Sequence, residues 1–65
     1  MMEKGDKVVL TEPVVSAGLF GAEYLLKDTV GTFLHEQGML ADIEILSEIY
    51  TVPLKSIAKA MDLAA

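Results

Sequence analysis

The sequence predicts a small all-β barrel, and three observations carry that expectation. Short β-branched or alternating runs fall near residues 7–13, 29–35, 39–46 and 49–54. Turn signals separate them, and a helical period emerges only in the last dozen residues. The chain is 65 residues long with no cysteine, so it is one domain with a thin stability margin and no disulfide to widen it. Oligomerisation, or a partner, becomes a natural supplement to so small a core.

The first strand is "KVVLTEP", which follows a Gly5-Asp6 turn signal and stops at Pro13, a residue that cannot donate to a sheet ladder. From Val14 to Leu26 the chain carries Gly18 and Gly21, which break any helix into pieces too short to hold, so a long loop or irregular hairpin arm is expected. This stretch is unusually apolar for a connection. Leu19 and Leu26 are expected to fold inward as a lid, which leaves Phe20 and Tyr24 facing out.

Two alternating runs flank Glu36-Gln37-Gly38 in "TVGTFLHEQGMLADIEIL". A three-residue turn with Gly38 left-handed pairs His35 with Met39, Phe33 with Ala41 and Gly31 with Ile43. Phe33, Ala41, Ile43 and Ile45 then share a buried face, opposite Val30, Thr32, Asp42 and Glu44. That register leaves a Leu34–Leu40 pair on the outer face, in need of a cover. A fourth strand closes the barrel, and Leu54, Ile57, Ala58 and Met61 have the spacing of a helical tail over 55–63.

Ten acidic residues against five lysines and no arginine give a net charge of −5. Such a field repels phosphate backbones and anionic membranes, so nucleic acid is not the expected partner; a protein is. The lone histidine, His35, lacks a cysteine or a nucleophile-elbow motif to work with, and Asp42 and Glu44 are spaced as on any solvated strand. No enzyme activity, cofactor or metal site is expected. No apolar stretch is long enough for a membrane span and no secretory leader is visible, which reads as a cytoplasmic chain.

The order of "GDKVVL", "VGTFL" and "VPLKSI" resembles the SH3-like small barrels over residues 5–57. KOW-type domains, the ferredoxin-docking subunit of photosystem I and short bacterial SH3-like proteins of unknown function share these motifs. The last group is the nearest in length. The resemblance implies four to five antiparallel strands with a C-terminal helical turn, a barrel that hosts many unrelated roles. Together with the apolar surface, it implies a non-enzymatic protein-interaction or assembly module whose partner is another protein or a second copy. The residues expected to dock are Leu19, Phe20, Tyr24, Leu34 and Leu40. A KOW-like nucleic-acid accessory and a small mobile-element regulator of a host protein are the alternatives.

Overall fold

A computed structural model describes residues 2–18 and 21–60 of the chain. The protein is an all-β domain of antiparallel strands: β1 Lys7–Leu10, β2 Val14–Gly18, β3 Gly21–Leu25, β4 Val30–Gln37, β5 Leu40–Ile45, β6 Glu48–Pro53 and β7 Ile57–Lys59. A single 3-10 turn, Leu54–Ser56, precedes β7. Five strands form one sheet in the order β6-β5-β4-β1-β7, and β2 and β3 form a separate hairpin. Among the described residues no helix is long and apolar enough to cross a membrane.

The core follows the alternation. Val8 and Leu10 of β1, Phe33 of β4, Ala41 and Ile43 of β5, Tyr50 and Val52 of β6 and Ile57 of β7 are buried together, joined by Val14 and Leu25 from the hairpin. Each comes from the inward parity of its strand, as a sheet with one covered face requires.

Of the two readings of this stretch, a long loop or an irregular hairpin arm, the hairpin is the one the chain adopts, and it is regular, with Val14 opposite Leu25, Val15 opposite Tyr24 and Ser16 opposite Glu23. Its inward pair Val14–Leu25 covers the core, whereas Leu26 is exposed. The lid thus uses the residue before the one expected. Leu19 and Phe20 lie outside the described residues.

The hairpin is held to the main sheet by a side chain. Ile45 pairs with Glu48 beside a two-residue turn, so narrow and wide pairs alternate down β5–β6 until the Asp42–Thr51 pair leaves the Thr51 carbonyl pointing away from β5. Buried Ser16 of β2 donates its Oγ to that oxygen at 2.9 Å. The open side of β6 is closed in this way without a backbone ladder.

The β4–β5 register differs from the expected one. Gln37 pairs with Leu40, Glu36 with Ala41 and His35 with Asp42, so the turn has two residues, Gly38 and Met39, and not three. Gly38 has φ 64° with no positive φ at Met39, the pattern of a type II′ turn. Alone, that shift would move Phe33 to the solvent face. A β-bulge at Leu34 restores the parity, and Phe33 lies opposite Ile43. The buried and solvent faces are as expected; the pairs that make them are not.

The C-terminal helical turn is present at Leu54–Ser56, but it does not run on through 55–63. Ile57, Ala58 and Lys59 instead pair with Leu10, Val9 and Val8. The free edge of β1 offers a ladder there, and a β-branched Ile57 enters a strand more readily than a short isolated helix. Residues 61–65 lie outside the described residues.

Two polar contacts tie the ends together. Ser56 donates to Glu12 Oε2 at 2.6 Å, and Lys59 Nζ lies 3.4 Å from Asp6 Oδ2. The Glu3 backbone N–H donates to the same Asp6 carboxylate, which holds its pKa below the ordinary value, and the Lys59 ammonium adds to the effect.

Candidate docking site

Three outward features have the makings of a site: a polar cluster on β4–β6, the face of the β2–β3 hairpin, and a groove at one end of the β4–β6 meander.

The polar cluster is built around Asp42. Its Oδ1 accepts from Thr51 Oγ1 at 2.8 Å. Its Oδ2 accepts from Gln37 Nε2 at 3.2 Å and lies 3.0 Å from His35 Nε2. His35 thus faces Asp42 and not Met39, because the two-residue turn sets the register of this half of β4. The carboxylate is saturated by three neighbours, and none of the hydrogen bonds among the described residues joins a serine to His35. Ser16 and Ser56 spend their hydroxyls on Thr51 and Glu12. The cluster pins three strands together and offers no assembled nucleophile. No group of three or more potential metal ligands occurs among the described residues.

On the hairpin, Val15 and Tyr24 are cross-strand partners on the outward parity, 66% and 63% exposed. Tyr24 is therefore outward, as the sequence suggested, and its neighbour Val15 joins it. Cross-strand aromatic and β-branched pairs support a hairpin by a few tenths of a kcal/mol up to about 1 kcal/mol. The pair consequently has an internal use as well as an outward surface.

The groove is an open apolar trough with a volume of about 460 Å³. Gly38, Met39 and Leu40 of the β4–β5 turn form one wall, and Pro53, Leu54 and Lys55 form the other. Leu40 and Pro53 are cross-strand partners, and the Leu54 N–H donates to the Met39 carbonyl at 2.8 Å. These two contacts fix the turn against the 3-10 turn and set the groove's width. Met39 is 83% exposed and Leu40 45% exposed, so the apolar lining is open to solvent. Among the described residues that line the groove, Lys55 is the one that carries a charge.

Of the residues expected to dock, Leu40 lines this groove and Tyr24 lies on the hairpin face, while Leu19 and Phe20 are outside the described residues. Leu34 and Leu40 do not form the expected outer-face pair. Leu34 is the half-buried bulge residue, and Leu40 lies between Gln37 and Pro53. Met39, Pro53, Leu54 and Lys55 were missed because they meet only once β5 and β6 pair. The Gly38-Met39 turn and the "VPLK" corner are far apart in the sequence.

The opposite end of the same meander carries a second unusual feature. Leu46 and Ser47 form the β5–β6 turn with φ 51° and 69°, left-handed at both central positions as in a type I′ turn. That conformation suits Asn-Gly and is strained for leucine. Leu46 is nevertheless there, 93% exposed, flanked by the exposed carboxylates of Glu44 and Glu48. Glu48 Oε1 accepts the Tyr50 hydroxyl at 2.6 Å. Losing that proton would break the bond and set two anions side by side, so the Tyr50 pKa is pushed up to about 12, with burial and the charges of Glu48 and Glu23 adding to the effect.

Comparison with family models, curated proteins and solved structures gives no match.

Proposed function

We propose that this chain is a non-enzymatic binding module on an SH3-like barrel scaffold, docking a protein partner in the groove between the β4–β5 turn and the 3-10 turn. The observation that carries this reading is the groove itself: an apolar trough held open by backbone contacts, lined by Met39, Leu40, Pro53 and Leu54, with one cation on its rim. A single domain gains little from leaving such residues in water, and a pre-formed apolar trough is what a side-chain anchor from a partner fills. The scaffold reading is supported by the element order, in which a three-stranded meander is followed by a 3-10 turn and a last strand returning to β1. The Val15–Tyr24 face of the hairpin is a second contact surface within the same reading.

Affinity capture from native lysate with three baits tests it: the wild type, Leu40→Asp and Tyr24→Ser. Both substitutions fall on exposed positions, so folding is expected to survive and is checked by circular dichroism. The expected outcome is a defined set of proteins retained by the wild type, lost with Leu40→Asp and weakened with Tyr24→Ser. A set unchanged by both substitutions refutes the reading.

A further inference from the structure

We propose that the groove receives Leu46 of a second copy of this chain, so that the protein associates head to tail. This inference rests on the groove being a docking site and goes further by naming an occupant.

The argument begins with Leu46. A leucine in the left-handed region is held there against its own preference, and at 93% exposure it recovers nothing by burial within the same chain. Within one copy the residue is disfavoured twice, by its backbone and by its solvation. Seating in an apolar recess relieves the second. The chain carries such a recess, about 460 Å³ and lined by leucine, methionine and proline, with no large side chain of its own filling it.

Position decides the geometry. Leu46 and Met39 lie at opposite ends of β5, seven residues apart, or about 23 Å at the usual strand rise. The turn tip that carries Leu46 and the groove are thus different surfaces of one copy. Knob and recess at opposite ends generate a heterologous contact, which repeats from copy to copy and, according to the rotation between neighbours, runs on as a chain or closes into a ring.

Charge complementarity selects this occupant. Glu44 and Glu48 flank Leu46, both exposed, while Lys55 sits on the groove rim and makes no ion pair among the described residues. Seating Leu46 brings the Glu44 carboxylate of one copy toward the free ammonium of the next, while Glu48, on the other face of the ribbon, keeps the Tyr50 hydroxyl. The overall charge of −5 opposes association. At about 0.15 M salt, however, the screening length is about 8 Å, and the short-range pair acts while the bodies' mutual repulsion is largely screened.

Sedimentation at increasing concentration in physiological salt tests the proposal, using wild type, Leu46→Asn, Leu40→Asp and Met39→Glu. Leu46→Asn suits the turn better than leucine and so does not put folding at risk, and Met39→Glu is a second groove variant at a highly exposed position. The wild type is expected to gain average mass with concentration without levelling at two copies. Each variant alone is expected to remain monomeric. An equimolar mixture of Leu46→Asn with either groove variant restores one recess and one knob, and it should form a one-to-one pair and stop there. Lys55→Glu should weaken wild-type association roughly two- to five-fold, the range of a surface ion pair. A wild type monomeric at millimolar concentration, association surviving Leu46→Asn, or mixtures that remain monomeric would each overturn the head-to-tail contact. The capture experiment with Leu40→Asp judges the groove's docking role separately.

Discussion

Replacing Leu46 and Ser47 together by Asn and Gly should make the protein more stable, although neither new side chain adds a contact. Both positions have positive φ, 51° and 69°. A left-handed conformation costs an ordinary L-residue about 1–2 kcal/mol, less for Asn and close to nothing for Gly. Against this gain stands the greater freedom that glycine gives the unfolded chain, about 0.4–1 kcal/mol. Leu46 is 93% exposed, so its removal forfeits almost no buried surface. The net expectation for the pair is a gain of about 1–2 kcal/mol, and at about 4–8 °C per kcal/mol for a domain this small the melting temperature should rise by roughly 4–16 °C. Thermal unfolding followed by circular dichroism, at a concentration where the chain is monomeric, reads this directly. Leu46→Ala is the control: it removes the same exposed surface but keeps a Cβ in the strained position, so it should leave stability near that of the wild type. If the alanine variant gains as much as the Asn-Gly pair, backbone strain is not the cause; if the pair gains nothing, the turn is not strained.

The remaining predictions probe the sheet and the hairpin. A Cβ built on buried Gly31 would sit 3.0 Å from Ile45 Cγ1 and 3.1 Å from the Glu44 carbonyl oxygen, and the backbone oxygen cannot step aside. Gly31→Ala should therefore destabilise by about 1–3 kcal/mol in urea unfolding, and a neutral result would mean that β4 and β5 separate easily there. Ser16→Ala strips the Thr51 carbonyl of its partner at a buried contact between hairpin and sheet, with an expected loss of about 1–3 kcal/mol. Faster amide exchange should follow in β2 and β3 before the rest, and uniform exchange would show that the hairpin is held by other means. Because the Tyr50 pKa is raised to about 12, the folded state keeps a proton that the unfolded state gives up near about 10. Stability from the Tyr50–Glu48 bond should be full below about pH 10 and fall as pH climbs toward 12. A tyrosinate absorbance titration of wild type against Tyr50→Phe should assign the late step to Tyr50, and loss of that proton near the ordinary tyrosine value would contradict the bond.

Much of the fold was legible because alternation records which way a side chain faces. Phe33, Ala41 and Ile43 could be assigned to the core from parity alone, and Val30, Thr32, Asp42 and Glu44 to the other face. Alternation does not record how many residues a turn spends, since one residue fewer in the turn and one more in a bulge leave the same parity. The three-residue turn and the observed two-residue turn with bulged Leu34 therefore print the same pattern. The β2–β3 hairpin was only half legible: Gly18 and Gly21 suit a loop and a hairpin equally, and the Ser16 hydrogen bond that ties the hairpin to β6 joins residues 35 positions apart. At the C-terminus, Leu54, Ile57 and Ala58 fit a helical stripe, but the vacant edge of β1 outweighed it. The groove was least legible, because its two walls are joined only by the Leu40–Pro53 pairing and the Leu54–Met39 backbone bond. Tyr24 and Leu40 were readable as outward apolar residues, whereas Leu46 gave no local sign of strain.

The short turn and the bulge at Leu34 also determine where this chain can change in length. Leu34 is the residue of β4 without a partner on β5, so deleting it would leave an unbroken ladder with Phe33 still opposite Ile43. An extra residue after Gly38 would lengthen the turn and leave every pair of the ladder as it is. The hairpin therefore carries two positions at which its length can vary while the core stays closed, and of the two only the turn would move the Met39 wall of the groove.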